Sequence, residues 1–307
     1  MLKEKAKKLP LLPGVYLMKN HFQQIIYVGK AKMLKNRVSS YFQKNSQHSK
    51  KVLQLIHQID DFDFIIVDTE LDALLLECSL IQRYHPFYNR QMNYFKNYNY
   101  IQFTDTGFQI SDNPTKNSYG PFRSYKKIPA ILAIIEETYQ LPWLPEITRL
   151  SLEKQLPLLQ TISFEQKKKE IQELFLGKNK KIIDYLKMRQ EHFIAQLNFE
   201  KAGKIQAELE LLIAFINRID EQQAFLKQKE IHFALPLAAD SNYVKHYFIS
   251  YGQLIETTIA PSETEVLTFP TVGTDFLLHQ THLTKEQIDP IQILISYQKK
   301  LKKELER

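Results

Sequence analysis

The first ninety residues alternate between strand-like and helical patterning. Val15 and Leu17 alternate with Tyr16 and Met18, and Ile25, Ile26 and Val28 follow a short polar stretch; this predicts a two-stranded hairpin that brings Tyr16 near Tyr27. Gly29 in the return strand lets another group approach the backbone closely. Leu34, Val38, Tyr41 and Phe42 then fall at helical spacing over about 33–42, with Arg37 one turn before Tyr41. A second helix over about 48–59 buries Val52, Leu55, Ile56 and Ile59, and residues 62–67 read as a third strand. Thr69 with Asp72 is a capping-box start for a third helix, which His85-Pro86 stops. On these residues alone a hairpin carrying two tyrosines is ordinary, since aromatic residues favour strands.

Glu77 alters that reading. At about 100° per residue it falls between Ala73 and Ile81 and beside Leu74 and Leu80, whereas Asp72, Ser79 and Arg83 share the opposite face. A carboxylate in an apolar sector is costly unless a cation, a metal or a hydrogen-bond donor meets it. Helical angle leaves three readings open: a site, a helix edge exposed by a cleft, or a buried ion pair with Arg37.

Beyond residue 89, aromatics interleave with amides and two cations from Arg90 to Tyr100, a pattern suited either to nucleic acid or to a polar loop entering a strand at 100–103. Residues 128–137 read as a helix, and 164–226, charged and without proline, as long helices. Three strands follow at about 231–237, 243–250 and 254–259, then a charged helix from 285. His279 and His282 are not spaced as metal ligands. Asp240, Asp275 and Asp289 are isolated acids that solvent exposure or turns explain.

Composition narrows the class. A formal net charge of +7 favours a polyanionic partner without specifying one. Residues 1–8 are charged, and no later run is apolar and long enough to span a bilayer, so a cytoplasmic protein without a membrane partner is expected. The single cysteine, Cys78, lies on the apolar side of a helix, which leaves no disulfide or cysteine metal site.

Leu12-Pro13-Gly14-Val15-Tyr16, Ile26 to Lys32, Asn36-Arg37-Val38, Ser40-Tyr41-Phe42, Thr69-Glu70, Ala73 to Cys78, and Pro86 with Tyr88-Asn89 occur in an order that resembles the GIY-YIG nucleases, and within them the amino-terminal half of the UvrC excision-repair nucleases. The resemblance covers about the first hundred residues. Tyr119-Gly120-Pro121-Phe122 is similar to a turn that follows this module, and Leu197 to Ala202 with Ile205 resembles the helical hairpin by which UvrC binds UvrB, although Gly203 and Ala207 depart from that pattern and a generic helical hairpin remains open. The cysteine cluster, RNase H-like second nuclease and tandem helix-hairpin-helix tail of full-length UvrC are not visible, which makes the chain similar in length to short homologues of the Cho type.

The expected architecture is α+β. A GIY-YIG module over 1–100, with a three-stranded antiparallel sheet flanked by helices, precedes a connecting region over 101–163, a helical region with the hairpin over 164–228, and a small strand-rich region with a terminal helix over 229–307. The resemblance implies a DNA endonuclease of nucleotide excision repair that cuts damaged duplex DNA on the 3′ side of a lesion with UvrB. Two alternatives stay open: a structure-selective nuclease independent of UvrB, and a non-catalytic DNA- or UvrB-binding adaptor. Glu77 is expected to hold one Mg²⁺ or Mn²⁺, since a lone carboxylate suits one metal. Tyr27 is the candidate general base; an ordinary tyrosine, with a pKa of about 10, needs a nearby cation to favour its phenolate. Lys30 and Arg37 are placed to supply that charge and to bind phosphate oxygens. Tyr16 and Tyr41 would orient water or substrate, and Asn89 would hydrogen-bond the site.

Overall fold

The computed structural model describes residues 1–43, 48–89, 98–123, 126–264, 268–270 and 283–306. The chain forms two compact units, one of Met1–Phe95, Leu226–Gln280 and Lys285–Arg307, the other of Lys96–Phe225 with Thr281–Thr284.

In the first unit, β1 (Gly14–Lys19) and β2 (Ile25–Ala31) form the expected hairpin, and β3 (Asp61–Ile66) pairs with the other edge of β1, giving an antiparallel sheet of order β2-β1-β3. Strand alternation sorts the side chains onto two faces. Tyr16 and Met18 pack with Leu34 and Val38 of α2 (Leu34–Tyr41) and Leu55 of α3 (Lys50–Gln58), with Ala6 of a short helix α1 (Leu2–Lys7) in the same core. Val15, Leu17 and Val28 on the other face meet Ala73, Leu80 and Ile81 of α4 (Glu70–Tyr84). The register slips between Met18 and Lys19, leaving Ile26 as the extra residue and turning it towards the Tyr16 side.

Helix α4 starts and stops where the sequence predicts. Thr69 accepts from the Asp72 N–H and the Asp72 carboxylate accepts from the Thr69 N–H, a complete capping box; His85 ends the helix in the left-handed conformation before Pro86. Cys78 is fully buried, and burial pushes its thiol up to about 12.

The remainder of this unit is a sheet of order β7-β8-β9 and a terminal helix running over Lys285–Leu305. Its strands are β7 (Ile231–Pro236), with Ile231, Phe233 and Leu235 buried at period two, β8 (Tyr243–Ser250) and β9 (Gln253–Pro261). Asp240 sits in a turn as expected, accepting from the Asn242 N–H. Asp289 does not: it is buried beside Cys78. Sequence pattern missed this because only the packing of the terminal helix on α4 encloses it. Asp275, His279 and His282 lie outside the described residues, as do Arg90 to Asn97 of the aromatic stretch.

The second unit holds β4 (Tyr98–Thr104), β5 (Gly107–Ser111) and β6 (Ser118–Arg123) in the order β5-β4-β6, followed by α5 (Ile128–Tyr139), α6 (Glu146–Gln155), α7 (Phe164–Phe175), α8 (Lys181–Ala195) and α9 (Phe199–Leu226). Tyr119 to Phe122 belongs to edge strand β6 and is not a turn. Tyr119 pairs with Ile101 and Phe122 with Asn99 across a register shift, and Gly120 at φ +124° absorbs the irregularity. Helices α8 and α9 follow each other across a short connection, and the Gln190 amide of α8 reaches the Ala202 carbonyl and Gln206 of α9. The turn between them falls at 196–198, with Leu197 at φ +57° and the Asn198 side chain capping the Lys201 N–H, so Phe199 to Ala202 is the first turn of α9 rather than the connection. Among the described residues no helix is long and apolar enough to cross a membrane. The terminal helix over Lys285–Leu305 is α10.

Candidate active site

Three tyrosines meet because Gly29 has no side chain. Tyr16 lies opposite Gly29 in the β1–β2 register, and a Cβ at Gly29 would stand 2.4 Å from the Tyr16 hydroxyl. That gap lets the fully buried Tyr16 ring cross β2, where its centroid is 6.1 Å from Tyr27 and 5.9 Å from Tyr41 of α2. The Tyr16 and Tyr41 hydroxyls are hydrogen-bonded at 2.9 Å. Arg37, one helical turn before Tyr41, donates to the Tyr41 hydroxyl at 3.5 Å and holds its guanidinium 5.3 Å from that ring's centre.

Glu77 is half-buried on the α4 face turned to β2. Its Oε1 accepts from the backbone N–H of Lys30 at 2.9 Å, and among the described residues no other hydrogen bond reaches the carboxylate. It forms no ion pair with Arg37, so the third of the sequence readings falls. Burial raises the Glu77 pKa above the ordinary carboxylate value, and the Lys30 N–H, with Lys30 and Arg37 as charges, pulls the other way without prevailing. Two adjoining clefts, of about 290 and 520 Å³, are both lined by Tyr27, Arg37 and Glu77. A hard cation that takes one carboxylate oxygen and keeps most of its waters fits this donor set, because the second Glu77 oxygen is uncommitted. Among the described residues no cluster of three or more histidines, cysteines or acids assembles a multidentate alternative.

The structure brings Tyr16, Tyr27, Arg37, Tyr41 and Glu77 together. Lys30 lines the larger cleft and Asn89 the smaller, each with a further partner. The Lys30 ammonium donates to Glu70 at 2.9 Å, and Lys30 meets Glu77 through its backbone N–H and, more weakly, its charge. Asn89 is buried and pairs with one backbone residue twice, accepting from the Val28 N–H at 2.9 Å and donating to the Val28 carbonyl at 2.8 Å. It pins the segment after α4 to β2 beside Tyr27.

The cations expected to ease ionisation of Tyr27 act weakly. Burial first, then Tyr41 and Glu77, push its hydroxyl well above the usual tyrosine range, and Arg37 opposes them without prevailing. Tyr16 is pushed in the same direction, chiefly by burial.

Lys51 is the residue that sequence reading missed. It lines the smaller cleft with Tyr27, Arg37 and Glu77, and its ammonium donates to the Tyr88 carbonyl at 2.6 Å. The only signal was its place in the first turn of an amphipathic helix, which any surface lysine shares. His48 lies parallel to the Tyr41 ring at 6.4 Å and was equally unmarked.

Residues 12–90 match the family described as the UvrC-like GIY-YIG domain. The UvrABC system protein C of Clostridium tetani (strain Massachusetts / E88) is 32% identical over 277 residues, covering 81% of this chain and 43% of the relative. That of Clostridium botulinum (strain 657 / Type Ba4) is 34% identical over 279 residues, covering 83% and 44%. This chain therefore spans less than half the length of these relatives. Among solved structures, the GIY-YIG N-terminal endonuclease domain of UvrC from Thermotoga maritima, bound to magnesium as its catalytic divalent cation, is 41% identical with a TM-score of 0.27, covering 29% of this chain and 94% of that one. Residues 12–90 thus match a UvrC-like GIY-YIG domain, and the chain is similar to UvrC proteins over most of its own length.

Proposed function

We propose that this chain is a metal-dependent DNA endonuclease of nucleotide excision repair that hydrolyses one phosphodiester on the 3′ side of a lesion, delivered there by UvrB. The observation that carries the reading is the Glu77 carboxylate, held by a single backbone N–H with its second oxygen uncommitted in a cleft shared with Tyr27 and Arg37. Glu77 would hold Mg²⁺ or Mn²⁺, which when bound would supply Lewis-acid stabilisation of the phosphate and positive charge favouring ionised Tyr27. Arg37, exposed at the rim and permanently charged, binds a phosphate oxygen. Lys51 lines the smaller cleft and Lys30 the larger, so both add positive charge beside Arg37. Tyr27, once its own proton has passed to solvent, would accept the attacking water's proton as phenolate; Tyr16 and Tyr41 fix Tyr27 and Arg37 in register. Asn89 acts by holding β2.

The α8–α9 hairpin is the proposed UvrB contact. Leu197 and Phe199 at its tip are 75% and 65% exposed, apolar surface that a partner helix pair would cover. The Cho-type reading belongs to the same proposal: the candidate catalytic groups among the described residues gather between Tyr16 and Asn89, which suits one cut by this module.

An end-labelled duplex with one defined lesion tests the proposal. With UvrB and Mg²⁺, nicking 3′ of the lesion is expected, and deleting residues 182–226 should remove the stimulation by UvrB while sparing metal-dependent nicking. Equal nicking without UvrB would favour the structure-selective alternative. Binding without any cut would favour the adaptor.

A further inference from the structure

We infer that the carboxy-terminal sheet and helix form a brace that fixes the catalytic helix α4 and thereby sets the metal affinity of Glu77; this rests on the reading of Glu77 as the metal ligand. The grip begins at the helix entrance. Lys245 of β8 donates to the carboxylates of Asp68 at 2.8 Å and Asp72 at 3.1 Å, and Tyr247, two residues on and facing the same way, shares a short hydrogen bond with the Thr69 hydroxyl. Thr69 and Asp72 are the two halves of the capping box, so β8 holds the very groups that start α4. The Ala238 N–H adds a backbone bond to the Asp68 carbonyl at 3.1 Å.

A second line of contact reaches Glu77 through its own hydrogen-bond donor. Lys300 of α10 donates to Glu70 Oε2 at 2.9 Å, Glu70 Oε1 accepts from the Lys30 ammonium at 2.9 Å, and the Lys30 N–H is the one that holds Glu77. At the far end of α4, Gln82 donates to the Glu286 carbonyl at 3.1 Å.

Capping alone contributes modestly to a helix, and α4 has the apolar sheet on one face. The polar entrance carries Asp68, Glu70 and Asp72, and Lys245 and Lys300 are the brace's contribution to balancing them. Lys245 and Tyr247 are too well enclosed for a surface decoration: the Lys245 side chain is 14% exposed and Tyr247 is fully buried. Glu77 lies two turns, about 10 Å, along a stiff helix from this grip. A ligand must be held within about 0.5 Å to keep its affinity, so freedom at the entrance is carried to the carboxylate.

The full chain with Lys245→Met and Tyr247→Phe combined, and separately Tyr247→Phe alone, tests the brace. Mn²⁺ titration followed by electron paramagnetic resonance without DNA reads metal affinity, hydrogen exchange of residues 70–77 reads helix fixation, and thermal unfolding reads stability. The double variant should bind Mn²⁺ about tenfold more weakly, exchange faster at 70–77, and need correspondingly more Mg²⁺ for half-maximal nicking. Its rate at saturating Mg²⁺ should change less than about twofold, since the ligand itself is intact. Tyr247→Phe alone keeps the packing and should move Mn²⁺ affinity in the same direction, which covers a double variant that fails to fold, and Lys245→Arg should restore wild-type affinity. Lower thermal stability with unchanged Mn²⁺ affinity would overturn the brace while leaving the metal reading intact. A wild-type chain with no Mn²⁺ affinity that Glu77→Gln removes would sink the metal reading and this inference with it.

Discussion

Glu70 and Glu77 lie on one helix, seven residues apart, and meet opposite surroundings. At the entrance, Glu70 accepts from Lys30, Lys32 and Lys300, each at 2.9 Å. Burial alone would raise its pKa, but the three ammonium groups overcome it and hold the carboxyl at about 2. Two turns on, Glu77 has one backbone N–H and is raised by burial. The contrast shows why the more heavily bonded acid is not the site. Glu70 has spent its acceptor capacity on fixed cations and is structural, whereas Glu77 keeps an oxygen and an unbalanced charge for something that arrives from solvent.

Replacing each acid in turn should break the symmetry most strongly in catalysis. Glu77→Ala is expected to lower Mg²⁺-dependent nicking by about a thousandfold or more while DNA affinity, which the basic surface supplies, stays within about twofold. Glu70→Gln should cost less than about tenfold. Equal losses in a single-turnover nicking assay would erase the distinction between them.

Gly29→Ala should follow in size, because it disturbs the strand that offers Glu77 its N–H. The new Cβ would sit 2.4 Å from the Tyr16 hydroxyl and 2.5 Å from its Cζ, in a ring that is fully buried. Overpacking of this kind destabilises by about 1–3 kcal/mol. Urea unfolding measures that loss, and nicking should fall with it even where the chain remains folded.

Acid separates the two carboxyls by sign. The folded pKa of Glu70 is depressed, so its contribution to stability is complete above the unfolded value of about 4.5 and fades as pH falls towards 2. Glu70→Gln should therefore destabilise the chain at pH 7 and flatten the dependence of thermal unfolding on pH between about 5 and 2. The folded pKa of Glu77 is raised, so its charged form costs stability at neutral pH, and the cost vanishes once acid protonates it in both states. In EDTA, Glu77→Gln should raise the melting temperature at pH 7 by a few degrees, a gain that shrinks towards pH 4. A lower melting temperature at pH 7 would contradict the raised pKa.

Much of this site was legible because local periodicities carry it. The alternation of Val15, Tyr16, Leu17 and Met18 sorted the two sheet faces, and the structure puts Tyr16 and Met18 in one core and Val15 and Leu17 in the other. Helical angle alone set Glu77 among Ala73, Leu80 and Ile81, and Gly29 was read as a point of close approach before its neighbour was known. The entrance to α4 was read only in part. Thr69 and Asp72 announced the cap, but the polar face that Asp72 seemed to offer to solvent is taken by Lys245, and nothing in local pattern joins residues 173 apart.

The sequence by itself determined the strands, the capped helix, the tyrosine pair and the apolar setting of Glu77, since each follows from spacing within a few turns of chain. Only the tertiary structure decided which cation serves which acid. Lysines reach several Å from the backbone and choose partners by what long-range packing brings near, so Lys30 turned to Glu70 at the edge of the larger cleft, Lys300 joined it there, and Lys51 reached the smaller cleft. Among the described residues the same packing gives Glu77 a backbone N–H and no ion pair, an outcome of long-range contacts that no spacing rule encodes.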